Sequence, residues 1–321
     1  MVISAAKNRE NQTMELIFLG TGAAWGLPEL NCTCAICNDM RSRGERRTRT
    51  ALMLSGQSNL LIDCGPDITH QLEQHQIRHI DGLLITHEHG DHYLGLDELF
   101  VFKRIRPRGA FRPIPAYMTA HTWDVIKQRF GYLEEMGVIV VHTICPGRWF
   151  DHGPYHILPF KTEHGSFAKG SVGYLIQFRG NTGKQTRLLY TSDFMDILET
   201  YDDLLHPDYL VIQSFWLNEP VHNRPHHMSF QRAIHYIQQL DPIRETFLVH
   251  MGDADKVPGD PANTMLKKYD PKEPLRPPNS SEPYPIPLNH SQWQQTITKI
   301  MADRHLPHKV KVAFDGLRIP L

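Results

Sequence analysis

The chain has 321 residues, 40% of them hydrophobic, and a formal net charge of −1 at pH 7. That length holds one large domain or two, with apolar residues enough for a substantial core. Near neutrality removes any global pull toward nucleic acid or a membrane surface, and no apolar run reaches transmembrane length, so an anionic partner must be met locally.

Residues 1–13 are polar, carry Lys7, Arg9 and Glu10, and lack the apolar stretch of a signal peptide. They read as a disordered N-terminal extension on a cytoplasmic protein. Residues 15–19 read as a buried strand ending in the turn Gly20-Thr21-Gly22. Cys32, Cys34 and Cys37 follow, too close together for a disulfide framework and well spaced for metal thiolates. Residues 50–54 and 59–63 pair as strands around Ser55-Gly56, and 68–76 form a helix with Asp67 placed to cap its start. A strand at 82–86 delivers the run His87-Glu88-His89-Gly90-Asp91-His92, and the apolar spacing of 92–103 predicts a short helix behind it.

Further strands are expected at 115–118, 137–142, 155–162, 171–178, 187–191, 208–213 and 246–249, with helices at 121–135 and 229–240. Short strands interleaved with helices predict two sheets covered by helices, an α/β, αββα four-layer sandwich. Nine prolines between Pro258 and Pro287 exclude a regular element from 257–288, which reads as a surface loop or insertion. A helix at 291–303 and a strand at 310–314, turning at Asp315-Gly316, complete a single domain over 14–321. Cys64 and Cys145 stand alone and read as small buried residues.

Three imidazoles and a carboxylate within six residues are the ligand set of a hydrolytic metal site. Imidazole suits Zn, Mn or Fe, and the carboxylate favours a second ion. His87 and His89 point the same way if the strand continues, with Asp91 and His92 facing them from a loop. A dinuclear centre needs more ligands, and three stand at the ends of expected strands: His164, Asp193 and His250. Any one of them alone is an ordinary loop residue; the ordered series is not expected by chance.

From Met14 to Asp315-Gly316 the chain resembles the metallo-β-lactamase superfamily. Within it, the chain is similar to phosphodiesterases related to phosphoribosyl 1,2-cyclic phosphate phosphodiesterase. That closer likeness rests on Leu19-Gly20-Thr21-Gly22, the Cys32-Cys34-Cys37 cluster, Ile62-Asp63-Cys64-Gly65-Pro66-Asp67, Thr86 to His92, and Phe314-Asp315-Gly316. The resemblance implies His87, His89 and His164 on one divalent metal, Asp91, His92 and His250 on the other, and Asp193 bridging them. It implies attack by a bridging hydroxide, ligated and oriented by Asp91, on a phosphoryl group clamped by the two ions. His227 matches a histidine suited to protonating the leaving oxygen; otherwise it is a loop residue before a helix that Ser229 caps.

The cysteine cluster needs a fourth ligand to close a structural zinc site. In the resembled family that ligand is a histidine three residues beyond the position of His250; here Asp253 stands there and offers oxygen. Asp255 and His290 are the other candidates. Such a zinc would pin the N-terminal loop beside the active site.

The expected substrate is a small phosphodiester, a cyclic ribose phosphate or 2′,3′-cyclic nucleotide. The basic run Lys103, Arg104, Arg106, Arg108 and Arg112 reads first as a solvated surface, so nucleic acid is not favoured. A homodimer is left open. Alternatives are a tRNase Z-like ribonuclease, recognisable by steep salt dependence, a thioesterase or lactonase acting on a carbonyl, and a non-catalytic protein of pyrroloquinoline quinone biosynthesis.

Overall fold

A computed structural model describes residues 13–199 and 202–321; apart from Thr13, the expected N-terminal extension lies outside them. Two sheets organise the chain. The first runs in the order β15-β1-β2-β3-β4-β5-β6, from β1 (Glu15–Gly20), β2 (Ala51–Ser55), β3 (Leu60–Ile62), β4 (Gly82–Leu84), β5 (Ile114–Thr119), β6 (Ile139–Ile144) and β15 (Arg318–Pro320). The second runs β11-β8-β9-β10-β12-β13-β14, with β7 (Phe150–His152) beside β8. Its strands are β8 (Tyr155–Glu163), β9 (Val172–Arg179), β10 (Gln185–Tyr190), β11 (Asp196–Ile197), β12 (Tyr209–Gln213), β13 (Glu245–Val249) and β14 (Val310–Val312).

Alternation along these strands sets the layering, because successive side chains face opposite sides of a sheet. Leu16, Phe18, Leu52, Leu54, Leu60 and Ile62 join Ile157, Leu188, Val211 and Phe247 in one core between the sheets. Their neighbours Ile17, Leu19, Met53 and Leu61 point outward, under α2 (Ile68–Gln74), α5 (Ala120–Phe130) and α6 (Tyr132–Glu135). Leu158, Leu189, Leu210 and Leu248 face the other way, under α1 (Ala35–Arg43), α7 (Phe230–Leu240) and α8 (His290–Asp303). Three cores between four layers make the expected αββα sandwich.

Strand direction places the site. β3, β4 and β5 are parallel, as are β10, β12 and β13. β8 and β10 both run antiparallel to β9, so β8 ends at the same edge as β10. The C-terminal ends of β3, β4, β8, β10 and β13 therefore deliver residues to one rim.

Several local expectations are corrected. The strand before His87 ends at Leu84, and Asp91 and His92 sit in the short helix α3 (Gly90–Tyr93), not in a loop. The helix expected over 92–103 breaks into α3, a 3-10 turn at Leu96–Leu99 and α4 (Phe100–Arg104). Asp67 does not cap α2; its carboxylate binds the Arg49 backbone and guanidinium instead. The cysteine loop continues into α1, with the Cys34 sulfur at its N-cap. Cys64 is buried as expected, but Cys145 is exposed just beyond β6. The proline-rich segment holds a 3-10 turn at Pro261–Thr264 and buries Leu275 and Tyr284 in the outer core, so it is more than a surface loop.

Candidate metal centre

His87 and His89 leave the end of β4 and meet His164 from the end of β8; their ligand atoms lie within 4.8 Å of one another. Asp91, His92, Asp193 and His250 form a second such group. The Asp193 carboxylate stands between the two. Its Oδ2 is 3.3 Å from His92 Nε2 and 3.8 Å from His164 Nε2, while Oδ1 is 2.9 Å from His250 Nδ1. All seven residues expected from the sequence are thus brought together, with Asp193 placed as a bridge would be.

Do these residues fit a pair of ions? Nε2 of His87 and Nε2 of His250 are buried without a hydrogen-bond partner, and Nε2 of His92 meets only the carboxylate oxygens of Asp91 and Asp193. Leaving such atoms bare is costly unless something binds them. Burial, with His92 and His164 nearby, holds His87 well below its ordinary pKa, and burial holds His164 down at about 4, so both present neutral nitrogens. His92 goes the other way: against burial, Asp91, Asp63 and Asp193 push it well above. A proton on His92 there answers a surplus of negative charge that a cation would answer better. The donor set, nitrogen and oxygen with no sulfur, suits Zn or Mn.

Outer contacts fix several of these side chains. Nδ1 of His92 lies 2.7 Å from Asp63 Oδ2, and Thr86 donates its backbone N–H and hydroxyl to the same carboxylate. Nδ1 of His164 donates to the His226 carbonyl at 2.9 Å. Such contacts fix the tautomer that leaves the other nitrogen free for a metal. Sequence reasoning did not single out Asp63 or Thr86 as site residues, although both lie in the stretches that carry the family resemblance.

His227 joins this centre, with Nδ1 4.0 Å from Asp193 Oδ2. Its proton can be located. Gln213 accepts the backbone N–H groups of Phe194 and Met228 through Oε1, which turns its amide nitrogen toward His227 Nδ1 at 2.7 Å. An amide nitrogen only donates, so Nδ1 accepts and the imidazole carries its hydrogen on Nε2. Ser229 caps α7 just beyond, as expected.

A cavity of about 500 Å³ opens over the centre, and His89, Asp91, His164 and His227 are among the residues that line it. Trp25, Leu94 and Phe167 contribute apolar surface, and Arg49 and Arg224 positive charge. Trp25 and Phe167 are 73% and 85% exposed, which is unusual for rings beside a polar centre. The basic run from Lys103 to Arg112 contributes nothing to it. A larger cavity of about 660 Å³ lies against α7 and contains none of the ligands.

The cysteine cluster forms a separate group. Cys32, Cys34 and Cys37 surround Asp253 Oδ2 at 3.8, 3.3 and 3.0 Å. Zinc bonds of about 2.3 Å to sulfur and 2.0 Å to oxygen give a tetrahedral edge of about 3.5 Å, which these distances bracket. Each sulfur also accepts a backbone N–H: Cys32 from Cys34, Cys34 from Cys37, and Cys37 from Glu29. Such bonds favour thiolates; the Cys37 thiol beside Cys34 helps hold Cys34 at about 6, while the same contact, with burial, pushes Cys37 up, so without a metal one of the two keeps its proton. The residues fit a zinc. Asp255 and His290 do not take part: Asp255 accepts Leu217 N–H, and His290 faces Arg47.

The family model for the beta-lactamase superfamily domain matches residues 58–251. An octanoyltransferase of Porphyromonas gingivalis is 28% identical over 74% of the chain and 46% of its own length. A ribonuclease Z of Listeria welshimeri is 31% identical over 53% of the chain and 51% of its own length. The chain therefore spans about half the length of these two. The coenzyme PQQ synthesis protein B of Methylobacterium nodulans is 38% identical over 60% of the chain and 69% of its own length. In three dimensions, a diphosphatase of the PhnP family superposes with a TM-score of 0.68 at 22% identity, over 96% of this chain and 98% of that one.

Proposed function

The chain belongs to the beta-lactamase superfamily, and on that premise we propose that it is a metal-dependent phosphodiesterase acting on a small phosphodiester. The observation that carries the reading is the convergence of His87, His89, His164, Asp91, His92, His250 and Asp193, with Nε2 of His87 and of His250 buried and left unpartnered. Two divalent ions held there, Zn or Mn, supply charge to a phosphoryl oxygen and lower the pKa of water.

The chain's own residues do the rest. Asp193 and Asp91 each place a carboxylate oxygen near His92 Nε2, at 3.3 and 3.1 Å, where they would accept from the attacking water. His227 presents Nε2–H to the departing oxygen, and Gln213 keeps that hydrogen in place. Arg224 sits beside the cavity for the substrate's charge, and the exposed rings of Trp25 and Phe167 offer flat faces for a planar ring. That favours a cyclic nucleotide over a bare ribose phosphate. A cavity of this size takes a small molecule rather than a folded RNA, and three cysteines gathered with Asp253 as a metal would need accord with the cytoplasm.

A thioester hydrolase is the second reading, favoured by the apolar rim and by the octanoyltransferase match. Turnover by the Zn- and Mn-reconstituted protein of 2′,3′-cyclic nucleotides, linear diesters and octanoyl thioesters decides between them. Hydrolysis of thioesters with diesters untouched would replace the first reading by the second.

A further inference from the structure

The cysteine site carries a charge that three cysteines and a histidine would not. Three thiolates and the Asp253 carboxylate bring one more negative charge to a zinc than a neutral fourth ligand would, and the group is buried. Buried charge of that kind needs a counter-charge close by. Lys267 supplies one. Its ammonium donates to Asp253 Oδ2, the oxygen that faces the three sulfurs, and lies 2.6 Å from Glu29. Glu29 in turn donates its backbone N–H to Cys37 Sγ. A carboxylate oxygen has two lone-pair directions, so Oδ2 can hold an ion and still accept from Lys267, whose ammonium also reaches the Cys32 sulfur.

Lys267 comes from the proline-rich segment, and that segment grips the cysteine helix at further points. Asp260 Oδ2 accepts the N–H of Ala35, the first residue of α1. Lys268 donates to the backbone carbonyls of Asp253 and Asp255, fixing the chain that carries the fourth ligand. Just past the segment, Asn289 donates to Asp39 on α1. The segment has no β-ladder or long helix of its own; besides these contacts, backbone hydrogen bonds to Ala254, Glu219 and Val221 and the burial of Leu275 and Tyr284 hold it.

We propose that Lys267 is a working part of the cysteine metal site, its ammonium balancing the charge that Asp253 brings, so that metal binding and the seating of residues 257–288 are one event. The proposal rests on the cysteine cluster holding a metal and is independent of the reaction at the other centre. It also explains how an aspartate serves where a histidine is expected: the second charge arrives with it.

The test uses the full chain loaded with cobalt, whose thiolate absorption band reports the cysteine site and ignores the sulfur-free one. In wild type the band titrates to one equivalent, and protease cleavage within 257–288 is suppressed by the metal. Lys267→Met should weaken cobalt and zinc at this site by about 10- to 100-fold and restore cleavage at limiting metal. Asp253→His should bind at least as tightly as wild type, and adding Lys267→Met to that variant should cost far less than it does in the wild-type chain. A wild-type chain with no thiolate band would overturn the proposal. So would a Lys267→Met loss of the same size in the wild-type chain and in the Asp253→His variant. The comparison within the Asp253→His variant keeps the test decisive even if Lys267→Met alone folds poorly.

Discussion

Asp63 Oδ2 lies 2.7 Å from Nδ1 of His92, at the end of the strand beside the one that delivers the histidine run. Asp63 and His92 are both fully buried, and Thr86 binds the same carboxylate twice. This contact sets which nitrogen of His92 faces the centre. Asp63→Ala should therefore weaken metal binding at the histidine centre by about 10- to 100-fold, as loss of such an outer partner does. Chelator competition measures it, and an unchanged affinity would remove Asp63 from the site.

Gly65 is the position where the backbone itself guards the ligand loop. A Cβ there would lie 2.1 Å from the Asp91 carbonyl oxygen, with backbone rather than a flexible side chain in the way. Gly65→Ala should displace α3, and with it Asp91 and His92. Metal content at the histidine centre should fall while the cobalt–thiolate band of the cysteine site stays.

The convergence of His164, Asp193 and His250 on the histidine run was readable because all three follow apolar strand runs. The four layers were readable from alternation such as Leu16, Ile17, Phe18, Leu19. Asp63 was not picked out because a carboxylate after a strand looks like a turn residue until β3 is seen parallel to β4. Trp25 and Phe167 were missed because their loops carry no periodic signal. The split of the expected 92–103 helix was hidden too: Gly95 packs against the Gly65 carbonyl, a long-range contact that spacing does not show.

His227 is predicted to act through its Nε2–H. His227→Ala should lower kcat by about 10²- to 10⁴-fold, the usual share of a general acid. Gln213→Glu should lower kcat in the same direction, because a carboxylate at that place would accept from Nδ1 and draw the hydrogen off Nε2. Both variants should be checked by elemental analysis. Lost activity with the metal retained supports a role in proton transfer; loss of metal would make His227 a ligand instead.

Trp25 and Phe167 are predicted to contact the ring of the substrate. Trp25→Ala should raise KM for a 2′,3′-cyclic nucleotide by roughly 5- to 100-fold with kcat little changed, the range of one base–aromatic stack. KM for a cyclic ribose phosphate without a base should not move. Equal effects on both substrates would mean that Trp25 shapes the cavity and does not stack.

The centre around Asp193 is proposed to hydrolyse phosphodiesters with bound divalent metal. The most direct test is hydrolysis of bis(p-nitrophenyl) phosphate by the metal-stripped chain, the Mn- or Zn-reconstituted chain, and reconstituted Asp193→Ala. Release of p-nitrophenol is expected only from the reconstituted wild type, with a drop of at least about 10³-fold in the variant. A reconstituted wild type that binds metal at the histidine centre yet leaves the diester intact while cleaving an octanoyl thioester would contradict the proposal.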